Sequence, residues 1–259
     1  TIRVEINGTL PANVMSKDVI LRIIGDLTAA GATYRALEFT GDTVEAMSLS
    51  SRMTMANMGI EAGAKCALFA PDEKTAEYLG IELTAAERAL AGDADAPCAR
   101  VLRYCAEDFV PVMALPSNVD HVAAIRDLEP VAIDQVFLGS CTNGRLEDLM
   151  AAAEILKGKH IAPFVKLIVT PASRKIWEEA EANGTLATLS AAGAMITHPS
   201  CGLCCGRTGG ILSDGERVVA TNNRNFLGRM GSSKVEIYLA SPKSAAASAL
   251  TGRLTEATC

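Results

Sequence analysis

From residue 133 onward the sequence alternates between two hydrophobic periods, and this alternation restricts the possible folds more than any other feature. Apolar runs over residues 133–138, 164–170, 194–197, 218–221 and 235–239 have the length and β-branched content of buried strands. Between them, residues 146–156 and 173–183 carry helical spacing, the second ended by Gly184, and a last helix opens at Pro242 behind the cap residue Ser241. Strands separated by helices predict a parallel sheet covered on both faces. Functional loops of such sheets gather at the carboxyl ends of the strands. Three polar loops fall at that edge: Gly139-Ser140-Cys141-Thr142-Asn143-Gly144-Arg145, the turn from Cys201 to Gly206, and the stretch from Thr221 to Gly231 with Arg224 and Arg229.

The amino-terminal half reads in the same class. Residues 2–6 alternate apolar and polar as a half-buried strand, closed by Asn7-Gly8. Ser16 stands as N-cap of a helix in which Ile20, Ile23, Ile24 and Leu27 recur on one face, ending near Gly31; its first-turn charges Lys17 and Asp18 are expected in solvent. A strand over 34–39, a turn at Gly41-Asp42, a helix over 51–65, a buried strand over 66–71 and a short helix over 72–79 follow, then a surface connection over 84–98. Asn57 and Glu61 stand four apart on the 51–65 helix and share a face, a spacing that polar residues most often show on a solvated surface. Glu107 and Asp108 are adjacent, so in extended chain they point to opposite sides and make no acid/base pair. The polar passage from Pro116 to Pro130 places a boundary near residue 128, giving α/β domains over 1–128 and 129–259. His121 and His160 are expected at the surface, and Trp177 in packing.

The cysteines carry the chemistry. Cys201 and Cys204 form a C-x-x-C whose thiolates can reach one metal centre, and Cys141 can join them if the fold returns the chain to that spot. Iron–sulfur clusters usually take four thiolates, so a trio points to a [4Fe–4S] cluster with one iron open to substrate, the condition for Lewis-acid chemistry. Gly202 and Gly206 admit close approach of backbone N–H groups to sulfur. His198, three residues before Cys201, keeps open a Cys3His zinc site in a non-catalytic binding module, and ordinary buried cysteines are a third reading. Cys205 is expected to point elsewhere, Cys66, Cys98 and Cys105 to be buried thiols, and Cys259 a terminal surface thiol.

Composition narrows the partners. A net charge of −6 gives no basic footprint for nucleic acid. Neither a membrane-length apolar run nor a signal-like start is present, so a cytoplasmic protein with reduced thiols is expected. At 259 residues and 49% hydrophobic the chain can bury a substantial core.

The three polar loops together, in this order, resemble the aconitase superfamily, most closely its split-subunit isopropylmalate- and homoaconitate-type branch. The likeness extends through Lys17-Asp18-Val19-Ile20-Leu21, through the stretch from Arg52 to Lys65 and through Tyr238-Leu239-Ala240-Ser241-Pro242, nearly the whole chain. It implies two aconitase-like α/β domains with mostly parallel sheets flanked by helices and a cluster at the loops between them. The implied activity is a hydro-lyase that moves a hydroxyl between adjacent carbons of a di- or tricarboxylic acid. The implied ligands are Cys141, Cys201 and Cys204, with Asn57, Ser140, Asn143 and Asn223 beside the cluster. Glu61 would lie at the substrate hydroxyl, and Arg224 and Arg229 on substrate carboxylates. It also implies a serine base on a small swivel-domain subunit, which carries the specificity loop and leaves 3-isopropylmalate, homocitrate or homoaconitate, and citrate open; family abundance favours the first. Family large subunits begin well before the point matched by Thr1, so a shortened chain lacking catalytic histidine and aspartate residues is expected. An iron-responsive RNA-binding relative is a further alternative, opposed by the acidic charge.

Overall fold

The protein is described from a computed structural model covering residues 1–93 and 95–258, so the expectation for Cys259 lies outside the described residues. Alternation along β1 (Ile2–Asn7) buries Ile2, Val4 and Ile6 on one face. The chain continues through α1 (Ser16–Leu27), β2 (Ala36–Thr40), α2 (Asp42–Ala46), α3 (Leu49–Met58), a 3-10 turn over Gly59–Ala62, β3 (Cys66–Phe69), α4 (Glu73–Leu79), α5 (Ala85–Arg88) and β4 (Arg100–Cys105). A second series follows: β5 (Val112–Ala114), β6 (Val122–Ala124), β7 (Gln135–Gly139), α6 (Ser140–Asn143), α7 (Leu146–Leu156), β8 (Lys166–Thr170), α8 (Arg174–Ala182) and α9 (Thr185–Ala191). It closes with β9 (Met195–Ile196), a 3-10 turn over Gly202–Cys205, β10 (Arg217–Ala220), β11 (Glu236–Leu239) and α10 (Pro242–Thr251).

Among the described residues the strands form two sheets. The first is parallel throughout, in the order β3-β2-β1-β4. The second runs β6-β5-β11-β10-β7-β8-β9, parallel from β11 to β9, with β5 and β6 added antiparallel at one side. This is the expected α/β class with mostly parallel sheets flanked by helices. The chain passes from one sheet to the other between Cys105 and Val112, ahead of residue 128, and β5 is bonded to β11.

One apolar cluster joins both sheets. It takes Val4 and Leu37 from the first sheet, Ile20 and Ile24 from α1, and Phe137 and Ile237 from the second. The alternate residues Val136, Leu138, Val169 and Val219 face the other way and pack on α7 and α10. Helix α1 thus lies between the sheets, and this corrects the expectation for its charges: Lys17 and Asp18 are both 0% exposed. A one-sided apolar stripe identifies a surface helix, but a helix covered on every side buries its polar residues as well.

Local chemistry moves several other boundaries. The N-cap of α1 is Met15, whose N–H donates to the Asp18 carboxylate at 2.8 Å, and the helix stops at Leu27 because Thr28 turns left-handed (φ 70°). Gly41-Asp42 opens a helix rather than a plain turn. The 51–65 helix divides: α3 ends at Met58, the tighter turn carries Glu61, and left-handed Gly63 closes it. β3 is an edge strand with Cys66 exposed and Leu68 51% exposed, not a buried one. Cys98 is half-buried, and Cys105 is exposed with its thiol donating to Glu107 at 2.9 Å, so neither is the buried thiol expected. Glu107 and Asp108 lie in a 3-10 turn.

The position of α1 sets a stability test. Ile20→Ala, at a fully buried site shared by both sheets, is expected to cost about 2–5 kcal/mol in urea unfolding. Met195→Ala, at a site 51% exposed, is expected to stay within about 0.5 kcal/mol of wild type.

Candidate active site

The register of β10, β7 and β8 brings three strand ends to one level. Gly139 pairs with Thr170, and Ala220, the residue before Thr221, pairs with Phe137. The Gly139 N–H donates to the Thr221 hydroxyl at 2.9 Å. Gly139 has φ 138°, and a Cβ there would lie 2.1 Å from the Thr170 carbonyl oxygen, so no other residue fits. Ser140 follows with φ 67° at 1% exposure, a left-handed conformation that costs a non-glycine residue about 1–3 kcal/mol. That sharp start folds α6 so that Ser140, Thr142 and Asn143 turn inward and Cys141 faces solvent.

Thr170 is also the floor of the second cysteine turn. Its hydroxyl lies 2.6 Å from that of Thr197, just past β9, and a Cβ on left-handed Gly202 would stand 2.8 Å from the same Thr170 oxygen. Cys201 is exposed and Cys204 half-buried. Gly206 packs against the backbone of Arg229, and an Arg229 Nη lies 3.7 Å from the Cys204 sulfur. The Cys205 thiol donates inward to the Gly202 carbonyl at 3.7 Å. Among the described residues all the cysteines are free, and no three His, Cys, Asp or Glu side chains close around a single ion. His198 is exposed. Neither the thiol trio of Cys141, Cys201 and Cys204 nor that trio with His198 forms such a group among the described residues.

The first series supplies the facing wall. The Thr54 hydroxyl donates to the Thr142 carbonyl at 3.2 Å, the Asn57 amide to the Thr142 hydroxyl at 3.5 Å, and the Asn143 amide to Thr54 at 3.4 Å and Asp148 at 3.2 Å. Arg224 Nε pairs with Glu61 Oε1 at 2.9 Å, joining the 3-10 turn to the loop after β10. Within that loop the Asn222 amide donates to the Arg224 carbonyl at 3.0 Å. An aromatic residue in such a loop is expected to anchor it in the core, but Phe226 is 48% exposed, with the Arg229 guanidinium 5.4 Å from its ring centre. Asn225 takes the interior instead, because its amide meets the Leu115 carbonyl at 2.7 Å.

Ser140, Cys141, Asn143, Cys201, Cys204, Asn223, Arg224 and Arg229 lie on the loops after β7, β9 and β10, Asn57 on α3 and Glu61 on the 3-10 turn that follows it. Sequence reasoning missed the supports: Thr170, Thr221, Asp148 and Lys17. Thr170 and Thr221 stand directly at strand ends of the predicted functional edge, a positional signal that was available. Burial pushes the Asp148 carboxyl up to about 7, against the Asn143 and Arg145 N–H donors that favour its charged form. Burial likewise lifts Asp18 to about 7 and lowers Lys17 to about 7. Among the described residues five buried side-chain polar atoms have no hydrogen-bond partner: Asn143 Oδ1, Asn222 Oδ1, Asn223 Oδ1, Arg145 Nε and Arg229 Nε. All lie on the loops after β7 and β10. Such orphans are rare in folded proteins and mark a place built for a partner.

Fold and rim together define a doubly wound α/β protein with thiols and arginines on the loops at the carboxyl edge of its strands. The sequence model of the aconitase family (aconitate hydratase) matches residues 1–131 and 113–252, and the chain belongs to that family. It is 48% identical over 256 residues to 3-isopropylmalate dehydratase large subunit 1 of Methanopyrus kandleri, covering 99% of this chain and 61% of that one. It is 46% identical over 257 residues to large subunit 2 of Archaeoglobus fulgidus, covering 99% and 62%, and 47% identical over 256 residues to the large subunit of Nitratidesulfovibrio vulgaris, covering 97% and 60%. The chain therefore spans about three-fifths of the length of these curated relatives. Among the described residues no helix is long and apolar enough to cross a membrane.

Two measurements follow. Thr221→Val, which removes the acceptor of the Gly139 N–H, is expected to cost about 1–3 kcal/mol in denaturant unfolding. For Asp148, a folded-state value raised from 3.8 to about 7 means that the native state binds the extra proton between those limits. Its stabilising effect is full below about 4 and lost as pH rises through about 7, so Asp148→Asn should gain on wild type across that window in pH-dependent unfolding.

Proposed function

We propose that this chain is the cluster- and substrate-binding part of a hydro-lyase of the 3-isopropylmalate dehydratase kind, moving a hydroxyl between adjacent carbons of a small hydroxy acid. The observation that carries it is that Cys141, Cys201 and Cys204 are free thiols on turns sharing the Thr170 floor, with Arg229 against Cys204 and orphaned buried amides on the loops after β7 and β10. The donor set fits an iron–sulfur cluster better than a lone ion, because in a cluster each thiolate takes its own iron and the thiols need not meet at one point. When bound there, a [4Fe–4S] cluster supplies an iron without a protein thiolate, a Lewis acid for a substrate hydroxyl.

The chain's own residues divide the remaining work. Arg224 and Arg229 hold substrate carboxylates, since guanidinium stays charged and binds them through two parallel N–H donors. Glu61, fixed at 2.9 Å by Arg224 Nε, exchanges the proton of the departing hydroxyl. Asn57, Asn143 and Asn223 orient the thiolate turns, and Ser140 sets the turn that projects Cys141. The proton on carbon goes to a base outside this chain, a serine of a small subunit, in keeping with the large-subunit names of the relatives. Of the carboxylic acids open to the family, 3-isopropylmalate is favoured by those same names, ahead of homoaconitate- or citrate-type substrates.

The test is a cysteine series. After anaerobic reconstitution, Cys141→Ser, Cys201→Ser and Cys204→Ser should each lose iron and acid-labile sulfide, while Cys205→Ser retains both; retention in Cys204→Ser with loss in Cys205→Ser would reverse the ligand set. In the intact large subunit assembled with its small subunit, Arg224→Lys and Arg229→Lys should lower kcat/KM about ten- to a hundredfold at unchanged cluster content.

A further inference from the structure

Lys17 is fully buried and takes no part in the chemistry just described. Its Nζ donates to the carbonyl of Thr221 at 2.9 Å and to that of Asn222 at 2.8 Å, more than two hundred positions along the chain. Neighbouring Asp18 is turned away, accepting the Met15 N–H at 2.8 Å and the Val112 N–H at 3.1 Å. The ammonium is thus held by backbone carbonyls and not by a carboxylate among the described residues. A buried cation is costly, and a methionine would fill the same volume without that cost, so α1 gains nothing in packing from a lysine here.

The two carbonyls sit where β10 divides the site. Thr221 fastens the Cys141 turn through Gly139, and Asn222 fastens Arg224 through its side-chain amide. We infer that Lys17 is a positioning residue: by clamping the Thr221 and Asn222 carbonyls it fixes the direction in which Asn223 and Arg224 leave β10, and so aims the carboxylate-binding wall. This extends the hydro-lyase proposal and rests on it for the substrate class, but the clamp itself is independent of any turnover.

The experiment uses Lys17→Met and, since an apolar variant leaves two carbonyls unpaired, Lys17→Gln, whose amide can still serve one of them. In the intact protein, hydrogen exchange of the peptide spanning 221–229 should speed up about tenfold or more in Lys17→Met and less in Lys17→Gln, with β7 and β8 unchanged. With its small subunit, KM for the hydroxy acid should rise about tenfold while kcat changes less, the split expected when binding geometry is lost. Unchanged exchange at 221–229 in both variants overturns the proposal, as does protection lost evenly over both sheets, which would mark a purely structural lysine. If wild type turns over no hydroxy acid, the hydro-lyase reading fails, and the exchange result still decides the clamp.

Discussion

The site depends on one close approach, the backbone of Gly139 against the carbonyl of Thr170. Parallel pairing sets β7 and β8 side by side to their last residues, so the turn after β7 must leave over the end of β8. Only a residue without Cβ can do so, and the strained backbone of Ser140 is what remains after the chain has turned. Thr170 then receives Gly202 from its other side. Two cysteine turns far apart in sequence are located against one threonine, and their separation is set by the strand spacing of the sheet, not by the flexibility of loops.

Polarity is arranged around that floor in a way that a packed core does not need. Among the described residues three amide oxygens and two guanidinium nitrogens are buried without partners, while Lys17, Asp18 and Asp148 are ionisable groups held out of water. Each arrangement is unfavourable alone. Together they surround the ends of β7 and β10, which is where a ligand with its own charge would restore the balance.

Much of this was legible in the residues, and the rest was hidden for identifiable reasons. The helix capped by the Ser173 hydroxyl and the final one opened by Pro242 appear where expected, although the Ser241 hydroxyl bonds that of Ser244 and caps no backbone N–H. The ends of β1, β2, β3 and β7 to β11 were recoverable to within about two residues, whereas β4, β5 and β6 were not read as strands at all. The burial of Lys17 and Asp18 was not recoverable, since periodicity reports which face is apolar and says nothing of a second sheet laid over the polar one. β3 seemed buried because apolar residues were taken as covered, whereas it lies at the side of its sheet and leaves Leu68 in solvent. Phe226 misled for a related reason: the larger apolar side chain yielded the interior to Asn225, whose amide satisfies a carbonyl that phenylalanine could not. The rim itself was suggested by motif and strand order, but its adhesion to α3 through Thr54 and Thr142 required coordinates.

The apolar cluster threaded by α1 has a thermodynamic consequence. Because Ile20 and its neighbours belong to both sheets, neither sheet can lose its structure while the other keeps a dry interior, and the two should melt as one cooperative unit. The walls of the rim are divided between those sheets, Glu61 on the 3-10 turn before β3 and Arg224 on the loop after β10. A ligand gripping both walls would therefore raise the melting point of the entire chain, and heat or denaturant would abolish binding and fold in a single step.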